Sequence, residues 1–356
     1  MEQNLLFLGS IAFLVTFLTT PLVARLAKRF ELVDDPSRRF HPAHIHKGII
    51  PRAGGLAIYL GFAIACFLFL PINKVLLGIL VGSLIVILIG LWDDKKDLSP
   101  YFRFLTNFLA AGLVVGAGVG IPYITNPFNG VLRLDTWRIS FEFLGPHSVL
   151  VWADLFAVLW IVWCANMVNW SKGVDGQMPG FVAIAALTLG ILSFRFSAHD
   201  ISQWVVTALS FITAGAFLGF LPWNFYPQKI MPGYGGGTLA GFLLAVLSIL
   251  SWGKLGTAIL VLGVPMIDAF YVLVRRLASG KSPFWGDRGH LHHKLLGLGW
   301  GRRRIAISYW LVSAILGSLA LSINSQQKLF TIVLLAVILG GVLLWFNYFK
   351  QTNNYG

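Results

Sequence analysis

The chain has 356 residues, 57% of them hydrophobic and only 12% charged, with a mean hydropathy of +0.76. A water-facing surface of ordinary charge density cannot be made from that inventory, which excludes a soluble enzyme, and 14% aromatic residues exclude disorder. The 27 Lys and Arg against 14 Asp and Glu leave +13, which in a membrane protein reports cytoplasmic loops rather than nucleic-acid binding.

Apolar runs follow in chain order near 5–24, 53–70, 75–92, 104–120, 150–168, 181–194, 204–221, 238–251, 255–274, 305–322 and 329–349. They are apolar on every side, without the alternation of barrel strands. The predicted fold is therefore all-α, a polytopic membrane helical bundle of about eleven spans forming one domain over 1–356. Summed on alternate sides, Lys and Arg number 21 on the side of the 25–52 loop and 6 on the other. That bias puts the loop in the cytoplasm, the N-terminus outside and the C-terminus inside. The first run lacks a preceding basic stretch and a small-residue cleavage site, so it reads as a retained helix. Cys66 and Cys164 lie in apolar runs and imply neither a disulfide nor a thiolate metal site. The longest outward segment, 121–149, carries Trp137, Phe141, Phe143 and His147 and reads as an interfacial cap or a long loop.

Polar residues gather in five inward loops, each with Gly or Pro to free the backbone from helix. The first holds Asp34, Asp35, Arg38, Arg39, His41, His44, His46, Lys47 and Arg52, then Gly54-Gly55. Cations ending in a glycine pair suit a phosphate whose oxygens meet backbone N–H groups; an anchor on anionic lipid is the alternative. The second sets Asp93 and Asp94 at the end of an apolar helix, able to hold Mg²⁺ or accept a proton, or else simply solvated acids of a helix-end turn. The third offers Asn166 and Asn169 on one helical face, then Lys172 and the Gly173-Val174-Asp175-Gly176 turn, suited to a planar heterocycle; interhelical glue is the alternative for the amides.

The fourth loop joins Trp223 and Phe225 to Tyr234 and the glycines Gly235, Gly236 and Gly237. The aromatics suit a lipid interface, and glycines leading into a helix start suggest an anion contact. The fifth is the richest, with Arg275, Arg276, Lys281, Asp287, Arg288, His290, His292, His293 and the Arg302-Arg303-Arg304 run. Diphosphate contact or proton transfer suits its histidines better than zinc, since neither a Cys nor an H-E-x-x-H spacing is present. Asp154 and Asp268 stand inside apolar runs and read as structural rather than as a proton relay.

Pro51-Arg-Ala-Gly-Gly, Gly90-Leu-Trp-Asp-Asp with Leu98-Ser-Pro, Asn166-x-x-Asn169 with Gly173-Val-Asp-Gly, and Asp287-x-x-His290-Leu-His-His occur in that order and on one side. Together they resemble the polyprenyl-phosphate N-acetylhexosamine-1-phosphate transferases, which begin the lipid intermediates of peptidoglycan, teichoic acid and O-antigen. The resemblance covers nearly the whole chain. It implies transfer of a sugar 1-phosphate from a UDP-sugar to undecaprenyl phosphate, with release of UMP, at the cytoplasmic face of the inner membrane and with Mg²⁺. It further implies that Asp93 and Asp94 act on the lipid phosphate or hold the metal, and that His290, His292 and His293 lie near the diphosphate. Lys47, Asn166, Asn169 and Asp175 match positions around the uridine and phosphates, and Arg52, Lys172, Tyr234 and Arg288 complete the expected binding set. The partners implied are the UDP-sugar, the polyprenyl phosphate and membrane lipid, with a homodimer admissible and no nucleic acid.

Two positions depart from the family pattern. Lys172 stands where the family carries an acid, and Tyr234 stands where its Mg²⁺-binding Asp is expected. Three readings follow: an active transferase in which Lys172 supplies positive charge, a degenerate homologue that binds lipid phosphate or nucleotide sugar without turnover, and a transporter of an anionic lipid or sugar phosphate. Polar residues confined to one side weigh against the transporter.

Overall fold

The structure is a computed structural model that describes residues 4–37, 48–142, 146–252, 254–283 and 288–352. Thirteen helices dominate the described chain, and the protein is a multi-pass helical membrane protein. Each of the eleven apolar runs becomes helix. In chain order they are α1 (Leu5–Arg29), α2 (Gly54–Phe69), α3 (Lys74–Lys96), α4 (Pro100–Gly116), α5 (Val151–Trp170), α6 (Gln177–Phe196) and α7 (Ser202–Asn224). The remainder are α8 (Gly233–Leu250), α9 (Leu255–Val261), α10 (Gly263–Ala278), the short α11 (Leu291–Gly297), α12 (Arg302–Ser322) and α13 (Ser325–Thr352).

Eight of these helices are long and apolar enough to cross a bilayer, nine if α9 and α10 form one span bent by 83°. The difference from eleven lies in α2 and α4, which have 16 and 17 residues and reach only about 25 Å at 1.5 Å per residue. The bend falls where α10 opens with Gly263 and Pro265: proline has no N–H to continue the ladder of the preceding turn. Helix α10 then shows one polar buried stripe, with Asp268, Val272 and Arg276 inside and Phe270, Val274 and Leu277 exposed.

The outward segment forms two small antiparallel hairpins rather than a structureless loop. Strands β3 (Tyr123–Thr125) and β4 (Val131–Arg133) pair, as do β5 (Arg138–Glu142) and β6 (Pro146–Leu150); β1 (Val33–Asp34) and β2 (Ile50–Pro51) pair beside the first inward loop. Trp137 and Phe141 are exposed there, and Asp154 caps the start of α5 by accepting the Leu150 N–H at 2.9 Å. Phe143 and the side chain of His147 lie outside the described set.

Helix α8 is the axis of the bundle. It packs on α2, α3, α5, α6, α7 and α9, and 94% of its apolar window is buried, against 6% for the peripheral α13. Its N-terminus approaches its neighbours to backbone contact through glycine. A Cβ on Gly90 of α3 would lie 2.3 Å from the Gly235 Cα, and one on Gly55 of α2 would lie 2.4 Å from the Gly236 nitrogen. The first glycine pair, expected to meet a phosphate, has its N–H groups engaged by the loop before α8 instead. The Gly54 and Gly55 N–H groups donate to the Met231 and Pro232 carbonyls at 2.9 Å each, and Met231 N–H donates to the Pro51 carbonyl at 2.7 Å. The inward loops are thereby laced directly to one another.

Gly90→Ala is expected to lower stability by about 1–3 kcal/mol, because two backbones must separate to admit the methyl group. Gly112→Ala, where nothing lies within 4 Å of the added carbon, is expected to be neutral or slightly stabilising. Thermal denaturation of both variants in detergent measures the contrast.

Candidate functional site

The C-terminal ends of α3, α5, α7 and α10 and the N-terminal ends of α2, α4, α6, α8 and α12 meet at one end of the bundle, and the candidate residues collect there. Asp93 and Asp94 close α3, which stops at Asp97 in the left-handed conformation (φ 52°); Ser99 then caps α4 with Pro100 in its first turn. Both carboxylates are buried, so both need partners. Asp94 Oδ1 accepts the Tyr234 N–H at 3.1 Å and faces Arg52 at 3.0 Å. Asp93 accepts the Leu98 N–H at 3.0 Å on one oxygen and is bound by Arg103 at 3.3 Å on the other.

Lys172 enters the same cluster from the turn after α5. Its ammonium donates to the Gly233 carbonyl at 2.6 Å, and that glycine lies against Asp94 and the Arg52 backbone in the left-handed region (φ +70°). Tyr234, the next residue, turns its hydroxyl to Asn107, whose Nδ2 donates at 3.2 Å. Arg103 and Lys172 lie 5.2 Å and 5.9 Å from the centre of its ring. Enclosure lowers the Lys172 amine from its ordinary 10.5 to about 7; Asp94 and Asp93 oppose that shift, and Arg52 and Arg103 reinforce it.

A second group adjoins the first through the backbone of the same turn. Asp268 of α10 holds His290 Nδ1 at 2.9 Å and accepts the Leu291 N–H at 2.8 Å. Its carboxylate thus fixes the imidazole and starts α11. His292 is buried in parallel with His290 at 5.6 Å, with His293 at 4.4 Å. Burial and then the two neighbouring imidazoles push His292 well below the ordinary histidine range, keeping it neutral. Gly173 is required beneath it, since a Cβ there would sit 2.0 Å from His292 Nε2.

A third group surrounds Asp175, whose Oδ2 faces Arg302 at 3.3 Å and the Gln228 N–H at 3.4 Å. Asp93, Asn169, Asp175 and His290 therefore belong to one connected assembly, linked through Lys172, Gly173 and the glycines of α8. Asn166 behaves differently, its Nδ2 turned back to the Val162 carbonyl of its own helix at 2.8 Å. Asn169 Oδ1, Asp175 Oδ1 and His292 Nδ1 are buried without a hydrogen-bond partner among the described residues. Arg288 is exposed; Lys47 and Asp287, with Arg38, Arg39, His41, His44 and His46, lie outside the described residues.

Sequence reasoning missed Arg103, Asn107 and the pairing of Arg302. A signal for the first two was present. Arg103, Thr106 and Asn107 form a polar stripe on an otherwise apolar α4, and a cation in the first turns of a helix opposes its dipole unless an acid is near.

Mg²⁺ does not fit these residues. A hard divalent ion takes a shell of oxygen ligands, whereas both carboxylates are engaged by arginines and backbone N–H groups. Among the described residues no three His, Cys, Asp or Glu side chains converge as a metal-holding group.

The enclosed lysine has a pH consequence. Between about 7 and 10.5 the folded state binds fewer protons at Lys172 than the unfolded chain, so its destabilising effect is full below pH 7 and fades as pH rises toward 10.5. The melting temperature of Lys172→Met minus that of the natural protein should accordingly be most positive near pH 6 and decline up to about pH 10. A difference independent of pH would contradict the assignment.

A family model described as glycosyl transferase family 4 matches residues 76–252, which carry Asp93, Asp94, Asn169, Lys172, Asp175 and Tyr234. A protein of Bacillus subtilis (strain 168) named "Probable undecaprenyl-phosphate N-acetylglucosaminyl 1-phosphate transferase" is 30% identical over 346 residues, covering 92% of this chain and 89% of that protein. The decaprenyl-phosphate N-acetylglucosaminephosphotransferase of Mycobacterium leprae (strain TN) is 29% identical, covering 99% and 92%. The undecaprenyl-phosphate alpha-N-acetylglucosaminyl 1-phosphate transferase of Yersinia pestis is 28% identical, covering 96% and 90%. With similarity running over almost the full length of each, and with the site at the same end of the bundle as its motifs require, the chain belongs to glycosyl transferase family 4.

Proposed function

We propose that this chain transfers N-acetylhexosamine 1-phosphate from a UDP-sugar to a polyprenyl phosphate at the cytoplasmic face of the membrane. The observation that carries the reading is the convergence of Arg52, Arg103 and Lys172 beside unpartnered Asn169, Asp175 and His292 atoms at the end of the bundle that holds most of the Lys and Arg. The polyprenyl acceptor is already anionic at neutral pH, so its phosphate oxygen attacks the sugar-bearing phosphorus without a general base. A new P–O bond forms to the acceptor, the bridging P–O bond of the donor breaks, and UMP leaves with those electrons. Such a reaction depends on alignment and on neutralising charge.

The side chains divide that work. Arg52, Arg103 and Lys172 face the donor diphosphate, with Asp93 and Asp94 fixing the two guanidinium groups in place. His290, held at Nδ1 by Asp268, donates from Nε2 to a phosphate oxygen in its doubly protonated form. Asn169 and Asp175 serve the nucleotide. An apolar cavity of about 470 Å³, lined by Trp163, Met266, Phe270, Tyr271 and Leu335, suits the acceptor's isoprenoid chain. The Lys294 ammonium lies 5.1 Å from the Tyr271 ring, placing a cation beside that cavity for an anionic headgroup.

Purified protein given undecaprenyl phosphate and radiolabelled UDP-N-acetylglucosamine is expected to form a lipid-linked product. Asp94→Ala should reduce its rate by about 100-fold or more, since Arg52 then loses the nearer of its two carboxylate partners. Retained UDP-sugar binding with no product from any donor would replace catalysis by a binding role.

A further inference from the structure

Three cations reach the α3–α8 junction from three separate elements: Arg52 from the first inward loop, Arg103 from α4 and Lys172 from the turn after α5. They face Asp93 and Asp94, and Arg52 also reaches buried Asp34 at 3.8 Å, so with Lys172 protonated three cations stand against three carboxylates. Three of the four Asp93 and Asp94 oxygen positions are accounted for by arginines and by the Leu98 and Tyr234 N–H groups, the fourth being Asp94 Oδ2 against Gly233. The Gly233 carbonyl, the neutral oxygen next to it, is occupied by Lys172. Tyr234 adds no anion, because a phenol is protonated at neutral pH, and its hydroxyl is engaged by Asn107. A divalent ion placed there would meet the like charge of Arg52, Arg103 and Lys172, with the carboxylates of Asp34, Asp93 and Asp94 already turned to the two guanidinium groups.

We infer that this site neutralises the donor diphosphate with fixed side-chain cations and works without a divalent metal, an inference that rests on the transferase reading above. Lys172 is the central element. Its amine already stands against the Gly233 carbonyl within electrostatic reach of Asp94 and Asp93, and an incoming diphosphate oxygen favours its charged form while exchanging a weak backbone acceptor for a charged one. Arg52 and Arg103 complete the set as planar donors held rigid by the carboxylates. The two acids thus orient cations.

Two readouts test this on the full-length protein in detergent or nanodiscs. Titration with Mn²⁺ followed by electron paramagnetic resonance, with and without UDP-N-acetylglucosamine, is expected to show no saturable protein site. Product formation from UDP-N-acetylglucosamine and undecaprenyl phosphate is expected in EDTA at a rate within about twofold of that in Mg²⁺. Lys172→Met should lower kcat/KM by roughly 10- to 100-fold in either condition. The double variant Lys172→Asp with Tyr234→Asp should gain Mn²⁺ binding; should it fail to fold, the measurements on the natural protein still decide. A saturable Mn²⁺ site in the natural protein, or product that appears only with a divalent ion, overturns the inference. Absence of product in both conditions overturns the transferase reading instead, and the Mn²⁺ titration then settles the metal question by itself.

Discussion

Two adjacent carboxylates buried at the end of an apolar helix are costly unless cations reach them, and the arrangement of the inner end follows from meeting that need. Asp93 and Asp94 draw Arg103 from the next helix, Arg52 from a loop forty residues earlier in the chain and Lys172 from the far side of α5. Each cation belongs to a different segment. Neutralising the pair therefore gathers the loops, and the same cations are the groups a diphosphate requires.

That gathering is possible only because the backbones come unusually close. Gly90 against Gly235 and Gly55 against Gly236 remove the side chains that would hold α2, α3 and α8 a normal helix spacing apart. Small residues at helix contacts are a common device inside bilayers, where hydrocarbon offers no hydrophobic drive to association. Here the device sits at the membrane-surface end of α8, and the carbonyls of Met231 and Pro232 bond α2 directly. Rigidity of the scaffold and position of the charges share one cause.

The departures at Lys172 and Tyr234 make sense as a coupled pair. A tyrosine in place of an acid removes a negative charge and offers a ring, and Arg103 and Lys172 lie beside that ring. A lysine in place of an acid adds a positive charge, and the Gly233 carbonyl and Asp94 lie beside that amine. Either change alone would leave an unbalanced group in an enclosed site. Together they give the junction an amine and a phenol whose polar atoms are both hydrogen-bonded.

Much of this was legible in the amino-acid order. Long apolar runs located every membrane helix, because in hydrocarbon a segment must satisfy its own backbone and shows it by composition. The inward loops and the motif residues Asp93, Asp94, Asn169, Asp175 and His290 also stood out, since polar groups at membrane depth are too costly to be scattered. What composition could not give was pairing. Glycines in Gly54-Gly55 read as a phosphate cradle, yet their N–H groups bond the Met231 and Pro232 carbonyls, and Gly55 and Gly236 let two helix backbones touch. Arg103 was passed over because its meaning lies in Asp93 on a different helix, and the turning away of Asn166 depends on a carbonyl four residues behind it. Periodicity and residue type fix what each segment buries; which groups then face one another is settled only when the helices pack, because electrostatic and hydrogen-bond energies depend on distances through space and not along the chain.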